Sequence, residues 1–212
     1  MKVFTILCAA ALVIGNPAWA GMEEDVVRMR QDWERVKYEV PAKQQEAEFE
    51  RLAKDSARVV AQYPKQAEPA IWHGIIEASY AGAKGGLGAL SLAKSARKSF
   101  EYALSINPNA LDGSAYTSLG SLYYQVPGWP IGFGDDKKAL ELLQKGLALN
   151  PNGIDPNYFH GDFLFRAGDY AGAEQALRKA LQAPPREGRK LADDGRRREI
   201  NDLLGKIREK KR

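Results

Sequence analysis

The sequence predicts an all-α chain, an antiparallel helix-hairpin solenoid closed by helical caps. Two observations predict it. A helical apolar pattern recurs three times and each time runs out at proline, and the composition suits helices packed in water. The 212 residues are 44% hydrophobic and 27% charged, with 20 glycines and 11 prolines. That allows one domain or one stack of repeats, and it excludes collagen, a mostly disordered chain and a multi-span membrane protein. The formal charge of +4 is unevenly spread: residues 186–212 carry eleven Lys or Arg against six Asp or Glu, while residues 21–185 carry nineteen against twenty-one. A near-neutral body therefore bears a basic tail.

The first element, residues 1–20, reads as a signal peptide. Lys2 precedes an uncharged stretch from Val3 to Ile14, then Gly15, Asn16 and Pro17 as helix breakers, then Ala18-Trp19-Ala20. Small residues at −3 and −1 place the expected cut after Ala20. A membrane anchor is the competing reading, but a span needs about 20 apolar residues and this run is shorter. Cys8, the one cysteine, lies inside the apolar run. A chain starting at Gly21 would have none, which removes disulfides, zinc-thiolate sites and thiol catalysis.

Residues 21–64 read as a capping helical pair, a degenerate repeat. Val26, Met29, Trp33 and Val36 mark one helix over 22–38, Phe49, Leu52, Val59, Val60 and Tyr63 mark a second over 42–62, and Tyr63-Pro64 stops it. Residues 65–187 carry the recurrence. Phe100, Ala103 and Pro108, then Leu143, Gly146 and Pro151, then Leu177, Ala180 and Pro185 each follow an alanine four residues upstream: Ala96, Ala139 and Ala173. Spacing of i, i+4 and i+7 puts these residues on one helical face, where the alanine admits a close neighbour and the bulky residue fills the gap. A further helix precedes each, striped by Trp72, Ile75, Ile76 and Ser79; by Tyr116, Leu119, Gly120 and Tyr123; and by Gly161 and Leu164.

These residues resemble the tetratricopeptide repeat (TPR), a 34-residue helix-turn-helix whose pattern runs aromatic, Leu-Gly, Tyr, then Ala, Phe, Ala, Pro. The third unit matches its length, since Pro151 and Pro185 are 34 apart. Pro108 and Pro151 are 43 apart, so the second unit carries nine extra residues, seven of them between its helices around Gln125 to Gly134. With Trp72 as the aromatic start, the first unit also has an insertion, the glycine-rich stretch from Gly82 to Gly88. Loops that join the helices of neighbouring repeats emerge on one edge, so the two insertions are expected to be neighbours. Residues 188–212 form a basic terminal helix with Leu191, Ile200, Leu203, Leu204 and Ile207 on one side, a polar-backed lid for the last repeat.

The resemblance implies a TPR superhelix whose first helices line a concave groove. Transferred by register, the groove residues are His73, Glu77 and Tyr80; Thr117, Ser121 and Tyr124; and Tyr158, Asp162 and Phe165. An aromatic ladder with polar neighbours suits a peptide or an apolar ligand, because rings bury large area at small entropy cost. The alternative is that the insertions or the terminal helix fill the groove. The lysine and asparagine clamp by which some family members hold a chaperone's C-terminal carboxylate is missing from these positions. Trp129 and Phe133, in the second insertion, are the other candidate contact, unless both rings fold back onto the stack.

Chemistry is otherwise sparse. His73 and His160 lack a second ligand at i+4, so no metal site is expected. The stretch from Gly82 to Gly88 lacks the Gly-Lys-Ser/Thr ending of a phosphate loop. Asp135, Asp136, Asp162 and Asp169 have no paired spacing, and Asp135 or Asp136 suits a helix cap. No catalytic residue or cofactor is expected. Arg196-Arg197-Arg198 and Lys210-Lys211-Arg212 form either a solvated face or a patch for lipid headgroups, and nucleic acid is not an expected partner of an exported chain. The expected function is an exported, periplasmic scaffold for a protein or peptide, with no membrane span after cleavage. The alternative is a small-ligand accessory of a transport system, from a faint similarity to the TPR-containing T-component of TRAP-type transporters.

Overall fold

The computed structural model describes residues 17–211, so the expected signal segment up to Asn16 lies outside the described residues. Among them are nine α-helices and no sheet: α1 (Pro17–Tyr38), α2 (Ala42–Gln62), α3 (Ala67–Lys84), α4 (Gly86–Ile106), α5 (Ser114–Gln125), α6 (Asp136–Leu149), α7 (Ile154–Arg166), α8 (Tyr170–Leu181) and α9 (Lys190–Lys210). The expected cut after Ala20 falls within α1. None of these helices is long and apolar enough to cross a membrane.

One packing device repeats in three hairpins. A Cβ built on Gly120 would lie 3.0 Å from Leu143 and 3.1 Å from the Ala139 carbonyl, and one on Gly161 would lie 2.8 Å from Leu177 and 3.3 Å from the Ala173 carbonyl. In the α3–α4 hairpin, the residue in this role is Gly74, whose Cβ would meet the Phe100 ring at 2.7 Å. A bulky residue thus sits against bare backbone in each case. Ala96, Ala139 and Ala173 are fully buried beside these contacts.

Gly74 corrects the register of the first unit. Taking Trp72 as the aromatic start makes Ile76 the counterpart of Gly120 and Gly161, two residues too late. At about 100° per residue, that error turns the assigned face by about 200°. His73, Glu77 and Tyr80 therefore point away from the expected groove. Ile71 is the true counterpart of Thr117, and it packs with Ala103 as Thr117 packs on Gly146.

The glycine-rich stretch is not a loop. α3 runs through Lys84 and α4 starts at Gly86, leaving Gly85 as the whole connection, at φ 63° and ψ −174°. The extra residues lengthen both helices, because alanine and leucine between the glycines keep helical spacing and packing overrides a modest glycine cost. The second insertion, residues 126–135, is a loop and lies on the lengthened α4: a Cβ on Gly132 would be 3.4 Å from Leu90, and the Arg97 guanidinium lies 4.6 Å from the Phe133 ring. The second insertion thus rests on α4 at Leu90 and Arg97, beyond the glycine-rich stretch itself.

The odd-numbered helices make a closed circuit of contacts. α1 touches α3, α3 touches α5, α5 touches α7, α7 touches α9, and α9 returns to α1, while the even helices flank this circuit and pack only on odd ones. The C-terminal half of α9 buries Ile200, Leu203, Leu204 and Ile207 against Ile154, Ala173 and Leu177. Its N-terminal half closes the circuit with charge.

Candidate functional site

The expected groove residues divide by the register correction. Behind α3, His73 Nδ1 is 2.7 Å from Ser56 Oγ on α2, Glu77 accepts from Ser99 Oγ on α4 at 3.1 Å, and Tyr80 is buried among Phe49, Leu52 and Ile76. These three are interhelix packing, not groove. Thr117 is buried, and Ser121 donates to the Ser118 carbonyl at 2.8 Å. The Tyr124 hydroxyl donates to Asp162 at 2.8 Å with the Arg166 guanidinium 5.2 Å over its ring, and burial followed by the Asp162 charge raises its pKa. Tyr158 and Phe165 pack against the cluster that α8 and α9 share. Tyr80 is therefore not in line with Tyr124 and Phe165, and the terminal helix packs on α7, α8 and α1, at the Tyr158 end of the expected groove.

The contact of this end of the chain with α7 and α1 is a network of charge. Arg196, nearly buried, donates from Nε to Asp155 at 2.8 Å and from Nη1 to Glu199 at 2.6 Å, and its guanidinium lies 4.2 Å from the Tyr158 ring and 4.8 Å from Phe159. Arg186 joins Asp155 at 2.7 Å and Asp193 at 2.7 Å, while Arg189 donates to Glu34 at 2.8 Å and lies 5.3 Å over Trp72. Burial alone would raise the Asp155 carboxyl, but Arg196 and Arg186 hold it well below the usual carboxylate range. Burial pushes Tyr38 and Tyr158 up to about 12, so both rings stay neutral. The basic tail is thus partly internal. Arg197 donates to the carbonyls of Leu181 and, at 2.8 Å, Ala183, closing the end of α8, and of the triplet only Arg198 is exposed.

Sequence reading missed a Ser–His–Glu chain. Ser56 Oγ, His73 Nδ1, His73 Nε2 and Glu77 Oε1 lie in series, the last step 3.5 Å long. The types match a hydrolytic triad, but Ser56 is fully buried, so no substrate carbonyl reaches its hydroxyl. The chain is a hydrogen-bonded tie between α2, α3 and α4. The signal that finds it is the placement of Gly74, which turns His73 toward α2. His160 immediately precedes Gly161 as His73 precedes Gly74, so the two histidines are equivalent positions. Burial lowers the pKa of both, opposed by Glu77 at His73 and by Asp169 at His160.

Two features face outward. Asp135 caps α6 by accepting from the Lys138 N–H at 3.0 Å, and the loop before it splits the expected pair of rings. Phe133 folds back, edge-on to Tyr123 at 5.4 Å, whereas Trp129 is 90% exposed. The second feature is a cleft of about 320 Å³ between α1 and α2. It is lined by apolar Met29, Leu52 and Val59 and by Asp25, Arg28, Asp32, Asp55, Arg58 and Gln62, with Arg28 paired to Asp25 and Arg58 to Asp55. Tyr63 crosses from α2 to donate to Asp25 at 3.0 Å. Searches against known proteins find no matching family model and no significantly similar curated protein.

Proposed function

We propose that this chain is a TPR-like scaffold of the cell envelope that holds a protein or peptide partner, and that it does so on its outside. The observation that supports this reading is the α1–α2 cleft, lined by apolar side chains together with acids and bases. A polypeptide offers both charges together with apolar side chains, and polar rims around apolar floors are the usual composition of protein contacts. At the Tyr158 end of the expected groove, by contrast, α9 already covers the ring with Arg196. The small-ligand reading is weaker, because ligand pockets enclose their ligand in mostly apolar walls and this cleft is open and carries five charged side chains.

The test is site-specific photo-crosslinking in the cell. A crosslinking side chain at Gln62 is expected to trap a discrete partner, one at Ser121 is not, and Asp32→Lys with Asp55→Lys should abolish the adduct at Gln62. Adducts at Ser121 with none at Gln62 would return the site to the concave side.

A further inference from the structure

We propose that the α5–α6 loop is a membrane-surface anchor, its Trp129–Ile131 tip seated among the headgroups of an anionic bilayer. The inference is independent of the α1–α2 cleft. The loop is built to hold its tip outward. Gly134 N–H donates to the Pro127 carbonyl at 2.9 Å, Ile131 and Gly132 donate to the Gly128 carbonyl at 3.1 and 3.0 Å, and Asp135 N–H donates to Tyr123 at 3.0 Å. Gly134 admits no side chain there, since a Cβ would fall 1.9 Å from the Val126 carbonyl. Phe133 anchors the inner side on Tyr123. With its backbone bonded and its base anchored, the loop still leaves Trp129 90% and Ile131 70% exposed, with Pro130 between them exposed as well.

The surroundings select the occupant. Behind the tip, Arg97 covers the Phe133 ring at 4.6 Å and Lys138 lies 4.7 Å from the Tyr123 ring, with exposed Lys137 beside it and exposed Lys94 one turn before Arg97. The nearby acids are partly engaged: Asp135 caps α6, Asp136 stands in its first turn at the positive end of the helix dipole, and Glu101 lies 3.6 Å from Arg97. At the base of the apolar tip, four cations (Lys94, Arg97, Lys137 and Lys138) therefore outnumber the three acids Glu101, Asp135 and Asp136. Two convex side chains fall short of the roughly 800 Å² per partner that a standard protein interface buries. A bilayer interface needs no matching pocket, it favours tryptophan at headgroup depth, and its anionic lipids attract the cations.

The full chain is tested with vesicles of phosphatidylcholine alone and of two parts phosphatidylcholine to one part phosphatidylglycerol. Trp33 and Trp72 are buried and, like Trp19, are common to parent and variant, so the change in emission lost on Trp129→Ser isolates Trp129. We expect the chain to sediment with the anionic vesicles, with a blue shift that this variant lacks. Trp129→Ser with Ile131→Ser should weaken partitioning by about tenfold or more, as loss of two exposed apolar anchors implies. Arg97→Gln with Lys138→Gln should remove most of the salt-sensitive part. Melting curves of the tip variants should match the parent, because these side chains face water. The proposal is overturned if the chain does not partition, if the tip variant partitions as well as the parent, or if a crosslinker at position 129 traps a protein while vesicles compete for nothing.

Discussion

The α3–α4 and α7–α8 hairpins perform the same packing with different lengths of chain. Gly161 meets Leu177 sixteen residues later, and Gly74 meets Phe100 twenty-six residues later. In the short hairpin the helices are joined by residues 167–169, and in the long one by Gly85 alone. The comparison teaches that the glycine-to-bulky contact is what the hairpin keeps, and that added residues go wherever they leave it undisturbed. In α3–α4 they extend both helices, which gives α4 the extra turns on which the α5–α6 loop rests.

The largest expected effect tests whether the two hairpins are equivalent. Ala96 and Ala173 each lie four residues before the bulky partner, and both are fully buried. Ala96→Arg and Ala173→Arg should each unfold the chain, because an overpacked and desolvated charge costs several kcal/mol, roughly the stability of a domain. Circular dichroism checks it. If Ala96→Arg stays folded while Ala173→Arg does not, the register through Gly74 is wrong.

The next effect separates the apolar seams of the stack from its charged one. Asp155 is the shared partner of Arg186 and Arg196, and Asp155→Asn would leave the nearly buried Arg196 under-compensated. A loss of about 3 kcal/mol is expected from the behaviour of broken buried pairs, read by urea unfolding. Lys190→Ala, which removes an exposed pair with Asp194, should cost less than about 0.5 kcal/mol.

Much of this was legible in the sequence, and what was missed has physical causes. The second-helix pattern was readable because one face must alternate small and bulky residues at helical spacing, and α2 spans the 42–62 expected from its apolar stripe. The register of α3 was not, because Trp72 is the more conspicuous residue while Gly74 makes the contact. Closure of the helix circuit was invisible, since it rests on pairs such as Glu34 and Arg189, 155 residues apart. No local pattern announces them. Of the candidate contact residues, Trp129 is exposed, whereas Tyr80 is buried on another face of its helix from the one that Tyr124 and Phe165 share.

Smaller effects separate the two junctions. Gly85 and Gly168 both have positive φ, 63° and 85°, and an added Cβ would meet nothing within 4 Å at either. Alanine at each therefore costs conformational energy alone, about 1 kcal/mol. Gly85→Ala should cost more than Gly168→Ala, because its ψ of −174° lies in a region kept almost wholly to glycine. Equal melting temperatures would mean that the α3–α4 junction relaxes to another geometry.

The gentlest test uses the equivalent histidines, one in each hairpin. Both have pKa values lowered by burial, so the unfolded chain binds protons more readily than the folded one. Stability is then full above the ordinary histidine pKa of about 6.5 and declines as pH falls below it. Asp155 acts in the same direction only at far lower pH, because its carboxyl is held well below the usual range. A decline that begins near neutrality therefore belongs to the histidines. His160→Gln removes one contribution and His73→Gln the other, so each single variant should flatten the slope below pH 6.5 and the double variant should flatten it further. His73→Gln should also lower stability at pH 8, because the 2.7 Å bond to Ser56 is lost with it, whereas His160→Gln should not. Urea midpoints between pH 5 and 8 measure both. A slope unchanged in the double variant would assign the decline to other groups and leave the two histidines equivalent in position but not in effect.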